Sequence, residues 1–180
     1  MKKHYTTKEN LLDICKACAR KKGINGFGMR DVSRASGLAL GTIYNYFKDK
    51  ESMIIETLLS IWKEFISSIP LTDYFLDYLN NVINVVDNIE AIYPNFIKHH
   101  PRNISETMLP TAREMMNDEL LEIKNQIITV LEKDSNIKQE VFSDGLTEDK
   151  FARFTIKNIL SAKNREEKET LLKIVKFTIY

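Results

Sequence analysis

The sequence predicts an all-α protein in two parts, a small N-terminal head over residues 1–50 and a larger helical body over residues 51–180. Three observations carry that reading. Apolar residues recur at intervals of three and four along nearly the whole chain, and no alternating β-branched run is closed by hairpin turns. The helix breakers are segregated: Gly23, Gly26, Gly28, Gly37 and Gly41 fall in the first 41 residues, whereas Pro70, Pro94, Pro101 and Pro110 all lie later. Charge is divided as well, because residues 1–50 carry a net charge of +7 and residues 51–180 a net charge of −6, hidden behind an overall +1.

The first helix is expected to start at Thr6, which with Glu9 has the Thr-x-x-Glu spacing of a capping box, and to stop at Gly23. Its inward stripe is Leu11, Cys15, Cys18 and Ala19; Arg20, Lys21 and Lys22 suit its C-terminal dipole. A short helix follows over Met29 to Ser36 with Val32 and Ala35 inward, ended by Gly37. A second short helix runs from Leu40 to Phe47, with Ile43 and Phe47 on one face and Thr42, Tyr44, Asn45 and Tyr46 on others. Two short helices joined by a glycine turn behind a longer one make a helix-turn-helix.

Asp49 caps a fourth helix whose apolar positions are Ile54, Leu58, Ile61, Trp62 and Phe65, closed by Pro70. The next spans about 72–88 and continues toward Tyr93, with Phe75, Leu79, Val82, Val86 and Ile89 inward. Pro110 with Thr111 and Glu114 introduces a long helix to Lys133 that aligns Met116, Leu120, Ile123, Ile127 and Leu131. Residues 101–110 carry no clear signal, and residues 134–145 read as a loop or weak helix. Thr147 starts a helix to about Lys163, and a last one covers Glu166 to Tyr180.

With 43% hydrophobic and 28% charged residues the composition excludes a wholly disordered chain. No secretory signal follows Met1-Lys2-Lys3 and no stretch of 18 apolar residues is present, so a soluble cytoplasmic protein with no membrane partner is expected. Cys15 and Cys18 form a CxxC spacing that suits redox chemistry or half a zinc site. Inside an amphipathic helix with no second pair, they read better as small buried hydrophobes.

The basic head points to a polyanion, and the segment from Leu40 to Lys50 has the parts needed to read one. Gly41 allows close approach of the backbone, the free N–H groups at the helix start favour an anion, and Asn45 has the donor and acceptor pair suited to adenine. Lys48 and Lys50 supply charge.

The run Gly23-Ile-Asn-Gly-Phe-Gly-Met-Arg-Asp-Val-Ser-Arg-Ala-Ser-Gly-Leu-Ala-Leu-Gly-Thr-Ile-Tyr-Asn-Tyr-Phe-Lys-Asp-Lys-Glu-Ser-Met53 resembles the DNA-binding domain of the tetracycline-repressor (TetR) family over about residues 6–55. Its most specific part is Gly41-Thr42-Ile43-Tyr44-Asn45-Tyr46-Phe47 with Lys48 to Glu51. The resemblance implies an all-helical homodimeric regulator with a divergent C-terminal domain that holds an effector pocket and the dimer interface. By position, it implies phosphate contacts at Gly41, Tyr46 and Lys50 and base reading at Leu40, Thr42, Tyr44 and Asn45; Gly28, Arg30 and Lys48 complete the candidate DNA surface. Gly28 stands where members commonly have Thr or Ser, Ala39 where they have Ser, and Ala19 where a bulky aromatic is frequent; the first two changes remove hydroxyls that could touch DNA.

The last two helices are apolar over more than one face, which calls for a second partner. The resemblance implies a four-helix bundle with a twofold mate, and Phe151, Phe154, Ile159, Leu171 and Val175 are the candidate interface. Trp62, Tyr78, Tyr93, Phe96 and Met116 are the candidate pocket for a mostly apolar small-molecule effector. The expected function is therefore a sequence-specific regulator, a repressor released from a palindromic operator by such a ligand; the alternative is a helix-turn-helix regulator controlled by a protein partner. An enzyme built on His99-His100 is the weaker rival, because adjacent helical side chains diverge whereas metal ligands sit at i, i+4. No catalytic residue, metal or cofactor is expected.

Overall fold

The computed structural model describes residues 6–94, 96, 109–143 and 145–180, with side chains described outside 109–120. Among the described residues the chain is all-helical, with eight α-helices and, in place of strands, a single isolated bridge between Ser143 and Leu146. The α-helices are α1 (Lys8–Lys22), α2 (Met29–Ser36), α3 (Leu40–Tyr44), α4 (Lys50–Ser67), α5 (Phe75–Ile92), α6 (Leu109–Lys133), α7 (Glu148–Ser161) and α8 (Arg165–Ile179). A 3₁₀ turn, Gln139–Val141, lies in the connection after α6. Among the described residues no helix is long and apolar enough to cross a membrane.

Two compact units divide the chain, one comprising Met1–Glu64 and Ile89–Asn117 and the other Phe65–Asn88 and Asp118–Tyr180. This packing division does not coincide with the boundary at residue 50, because α4 as far as Glu64 belongs to the same compact unit as the helices before it. Glu56 of α4 pairs with Lys8 of α1 at 2.6 Å, Glu64 pairs with Lys16 at 2.8 Å, and the Thr57 hydroxyl meets the buried Cys15 thiol.

In the first unit, Leu11, Cys15 and Ala19 of α1 are fully buried, together with Phe27, Val32, Ile43, Phe47 and Met53. Ile89, Tyr93 and Phe96 are buried in its second segment. The α1 cap is Thr7, whose hydroxyl accepts from Asn10 N at 3.2 Å. Thr6, the cap expected from sequence, instead uses its carbonyl to accept a hydrogen bond from the Tyr46 hydroxyl at 2.7 Å. Cys18 is only half-buried and Ala35 is exposed, since α2 turns Met29 and Val32 inward and leaves Ala35 off that stripe.

In the second unit, α5 buries Phe75, Tyr78, Leu79, Val82, Ile83 and Val86, and α6 buries Ile123, Ile127, Val130 and Leu131. Met116 and Leu120 lie outside the described side chains. Asp134, just past α6, ties three distant segments together. Its carboxylate accepts from Phe75 N at 2.9 Å, from Asn136 N and Nδ2 at 3.0 Å each, and from the hydroxyl of Tyr180. A second polar tie joins α8 to α5, where Arg165 (3.0 Å) and the buried Lys168 both meet Asp87. α7 is capped by Thr147 and α8 by Asn164.

Burial pushes the Asp134 carboxyl up, but the hydrogen bonds from Tyr180, Phe75 and Asn136 outweigh it and hold the group below the usual carboxylate range. A folded-state pKa below the unfolded one contributes stability that is present above the ordinary carboxyl range and lost as pH falls through the folded value. Asp134→Asn should therefore cost about 1.5–3 kcal/mol near neutral pH, the range for hydrogen bonds to a charged group. In urea titrations the gap to the parent should narrow only below about pH 4; a gap that stays constant into acid would refute the carboxylate's role.

Candidate nucleic-acid interface

A five-residue helix cannot hold its shape alone, because nucleating a helical turn fixes several dihedrals for one hydrogen bond. α3 is held by burial. Ile43 and Phe47 are both fully buried, and the N–H of Phe47 donates to Ile43 O at 3.0 Å, carrying one more turn past the helix end. The helix is shorter than the expected Leu40–Phe47 because Asn45 forms its C-cap and Asn45-Tyr46 continue as a turn.

The preceding turn is locked from α2. Gly37 adopts φ +69°, a left-handed conformation that glycine takes without a Cβ clash. The Ser33 hydroxyl donates to Leu38 O at 2.7 Å and the Ser36 hydroxyl accepts from Leu38 N at 3.3 Å. With α2 and α3 so fixed, burying Ile43 dictates what faces outward.

The candidate DNA residues then fall as follows. Tyr44 is 51% exposed, and Gly41, Asn45, Lys48, Lys50 and Arg30 are exposed. Leu40 and Thr42 are half-buried at the rim. Tyr46 is half-buried too, and its hydroxyl proton is committed to Thr6 O, so in this arrangement it ties the turn after α3 to the segment leading into α1. Lys50 reaches Asn25 O at 3.5 Å, and its stem lies 3.8 Å from where a Cβ on Gly28 would sit. Gly28 caps α2 without a side chain, and its N–H donates to Asp31 at 3.0 Å, half of a capping box.

Sequence reading passed over Arg34, which stands one turn beyond Arg30 on α2 with its side chain 78% exposed and 3.6 Å from Asp31. The i, i+4 spacing from Arg30 was the available signal. The Lys22 ammonium, 2.7 Å from Asp31, holds that carboxyl below its usual range. Asp49 caps α4 by accepting from Ser52 N at 2.7 Å, which also lowers its pKa.

The cysteines carry no visible reactivity. Burial pushes the Cys15 thiol up to about 12 and raises Cys18 as well, so neither is a thiolate near neutral pH. Among the described residues no group of three or more metal-ligating side chains comes together. His99 and His100 lie outside the described residues.

Of the effector candidates, Trp62, Tyr93 and Phe96 meet in the first unit, with ring centroids 5.4 Å apart for Trp62–Phe96 and 6.0 Å for Tyr93–Phe96. Arg20 of α1 reaches the same cluster, its Nε donating to the Tyr93 hydroxyl at 3.0 Å. Tyr78 belongs to the second unit, where it is buried and donates to Gln126 at 2.8 Å; Met116 has no described side chain. The second unit also has an open groove of about 440 Å³ beside Leu71, Leu121 and Gln126, which the sequence did not signal.

Among the interface candidates, Phe151, Ile159, Leu171 and Val175 are buried in the unit's own core, and Phe154 alone is exposed, at 49%. The other exposed large apolar residues described on the last two helices are Ile174 and Phe177, both on α8. The apolar stripe of each helix is used within the chain, so any partner must meet the neighbouring face.

This is the arrangement of a helix-turn-helix transcription regulator, with a rigid short helix carried on a basic head. More particularly, the head is similar to that of the tetR family of bacterial regulators. Residues 11–57 match the model for bacterial regulatory proteins of the tetR family. Over 142 residues the chain is 25% identical to the HTH-type transcriptional repressor KstR2 of Rhodococcus jostii (strain RHA1), covering 73% of this chain and 68% of that one. The fold is similar to that of reduced E. coli NemR (TM-score 0.66, 18% identity, 97% of this chain and 98% of that one). It is similar also to Bacillus subtilis FadR in complex with stearoyl-CoA (TM-score 0.67, 18% identity, 97% and 100%). Proteins of this family are transcriptional regulators, not enzymes.

A Cβ on Gly41 would meet nothing within 4 Å, so the fold does not require glycine there. Gly41→Ala should leave the head as stable as before or up to about 1 kcal/mol more so, from improved helix propensity. It should nonetheless weaken operator binding by standing the helix off the duplex. Tyr44→Ala should abolish specific binding with circular dichroism and thermal midpoint unchanged. Retained affinity in both variants by fluorescence anisotropy would remove α3 from the interface.

Proposed function

We propose that this chain is a homodimeric cytoplasmic repressor whose head, residues 1–50, binds a near-palindromic operator, and whose remainder responds to a small, mostly apolar ligand. The observation that carries it is the outward presentation of Tyr44 and Asn45 on a helix anchored by the fully buried Ile43 and Phe47. Base reading then falls to Leu40, Thr42, Tyr44 and Asn45. Phosphate binding falls to Gly28, Arg30, Gly41, Lys48 and Lys50, with Tyr46 positioning the end of the helix. The likeness to KstR2, a repressor, supports repression.

Two heads reading successive major-groove faces must stand about 34–36 Å apart, so dimerisation sets the operator spacing. The exposed Phe154, Ile174 and Phe177 are the surface offered to the second copy. The aromatic cluster of Trp62, Tyr93 and Phe96 lies in the same compact unit as the head and supports effector sensing close to it. FadR holds stearoyl-CoA, which supports a ligand with a long apolar chain. Binding shifts the dimer only as far as the ligand prefers the released state over the DNA-bound one.

Genomic footprinting of bound sites, followed by a release assay with fatty acyl-CoAs and other apolar compounds, tests the proposal. Release by a compound supports it; release only by a protein fraction, with every compound inert, overturns the ligand. Lys50→Ala should weaken binding on all duplexes alike and make the salt slope shallower by about one unit; a loss confined to one sequence would assign Lys50 to base reading. Ile174→Arg should sediment at the 20.9 kDa chain mass and lose operator affinity while staying folded. Val175→Ala, in the core, should instead cost about 1–3 kcal/mol of stability and keep the dimer.

A further inference from the structure

We infer that the operator half-site is read at A·T pairs, through thymine methyl groups and the N6/N7 edge of adenine, with no guanine-selecting side chain on α3. This rests on the DNA-binding reading of α3 and specifies its substrate.

The argument starts from the direction in which each side chain leaves the helix. Successive residues turn by about 100°, so with Ile43 fully buried the opposite side of α3 is centred on Gly41 and Asn45, flanked by Tyr44 and Thr42. Leu40 lies at the far rim, half-buried. Gly41 and Asn45 are i, i+4 and lie one above the other. The bare position is open, with nothing within 4 Å of a Cβ, so the helix can come close enough for the short Asn45 side chain to reach a base edge.

The chemistry available on that face is restricted. Guanine is read in the major groove by Arg or Lys on O6 and N7, and cytosine by Glu or Asp on N4. From Leu38 to Phe47 the chain contains no Arg, Lys, Glu, Asp, Gln or His. What remains is the carboxamide of Asn45, which pairs with adenine in bidentate fashion, the Thr42 and Tyr44 hydroxyls, which can meet any base edge and select none, and apolar surface from Leu40, the Thr42 methyl and the 51% exposed Tyr44 ring, which suits the thymine methyl. The nearest cations are Lys48, in the bend beyond Phe47, and Arg30 and Arg34 on α2. The first helix of a helix-turn-helix crosses the backbone, where arginine meets phosphate.

The test uses the full-length protein. Duplexes are selected from a random library, and the best site is then remade with deoxyuridine for each thymine and 7-deazaguanine for each guanine. The expected result is A·T enrichment over the three or four pairs that a reading helix contacts. Affinity should fall about fourfold for each contacted methyl removed and stay unchanged with 7-deazaguanine. Asn45→Ala, at an exposed helix end, should lose about tenfold and the preference for adenine at one position. A selected half-site with fixed G·C pairs and sensitivity to 7-deazaguanine overturns the inference while leaving DNA binding intact. So does A·T enrichment indifferent to deoxyuridine, which would come from duplex shape. Enrichment of no sequence would sink the DNA-binding reading, and this inference with it.

Discussion

Burial of Ile43 and Phe47 is the constraint on which the rest of the head depends. α3 has five residues, too few for helix formation to sustain itself, so its direction is set by what it can bury. Those two side chains are buried, as are Phe27, Val32 and Leu11 of the same unit, and the turn at Gly37 and the Asp49 cap connect α3 to α2 and α4 on either side. The exposed face of α3 is thus a consequence of its buried face, and binding chemistry can change there at little cost to folding.

The support helix serves a different purpose. α1 is joined to α4 by ion pairs at two levels and to the aromatic cluster through Arg20 and Tyr93, and the segment leading into it is tied to the turn after α3 through Thr6 and Tyr46. Surface ion pairs contribute little each, yet these ties converge on one helix whose inner stripe, Leu11, Cys15 and Ala19, has no exposed atom. Ala19, where the resemblance leads one to expect a larger aromatic, is fully buried.

Legibility followed the range of the interaction. The bounds of α2 were readable, because its stop depends on Gly37 one position beyond it, although Ala35, expected inward, is exposed. The stripe of α5 was readable because Phe75, Leu79, Val82, Val86 and Ile89 repeat at the helical period. The choice of Thr7 over Thr6 was not, since it turns on a hydrogen bond to Tyr46 forty residues away. Asp134 was read as part of a polar connection, and its partners Phe75 and Tyr180 lie at 59 and 46 residues' separation. Nor could a pattern on α3 alone show that the Tyr46 hydroxyl is spent inside the head. The outward placement of Tyr44 and Asn45 was legible because it needs only the inward placement of Ile43.

The last two helices mark where periodicity misleads. A helix that must serve both a core and a partner carries two apolar faces, and the more regular one is the first to be noticed. Burial assigns that regular stripe, Phe151, Ile159, Leu171 and Val175, to the core, since the interior is close-packed and demands consistent spacing. A surface left for association can be less regular, interrupted by cations as Ile174 and Phe177 are by Lys173 and Lys176. Exposure of 86% at Phe177 is costly to maintain in water without a partner, whereas the buried stripe is already satisfied. Sequence therefore ranks these positions by apolarity, and only the fold separates the face that is filled from the face that still has surface to bury.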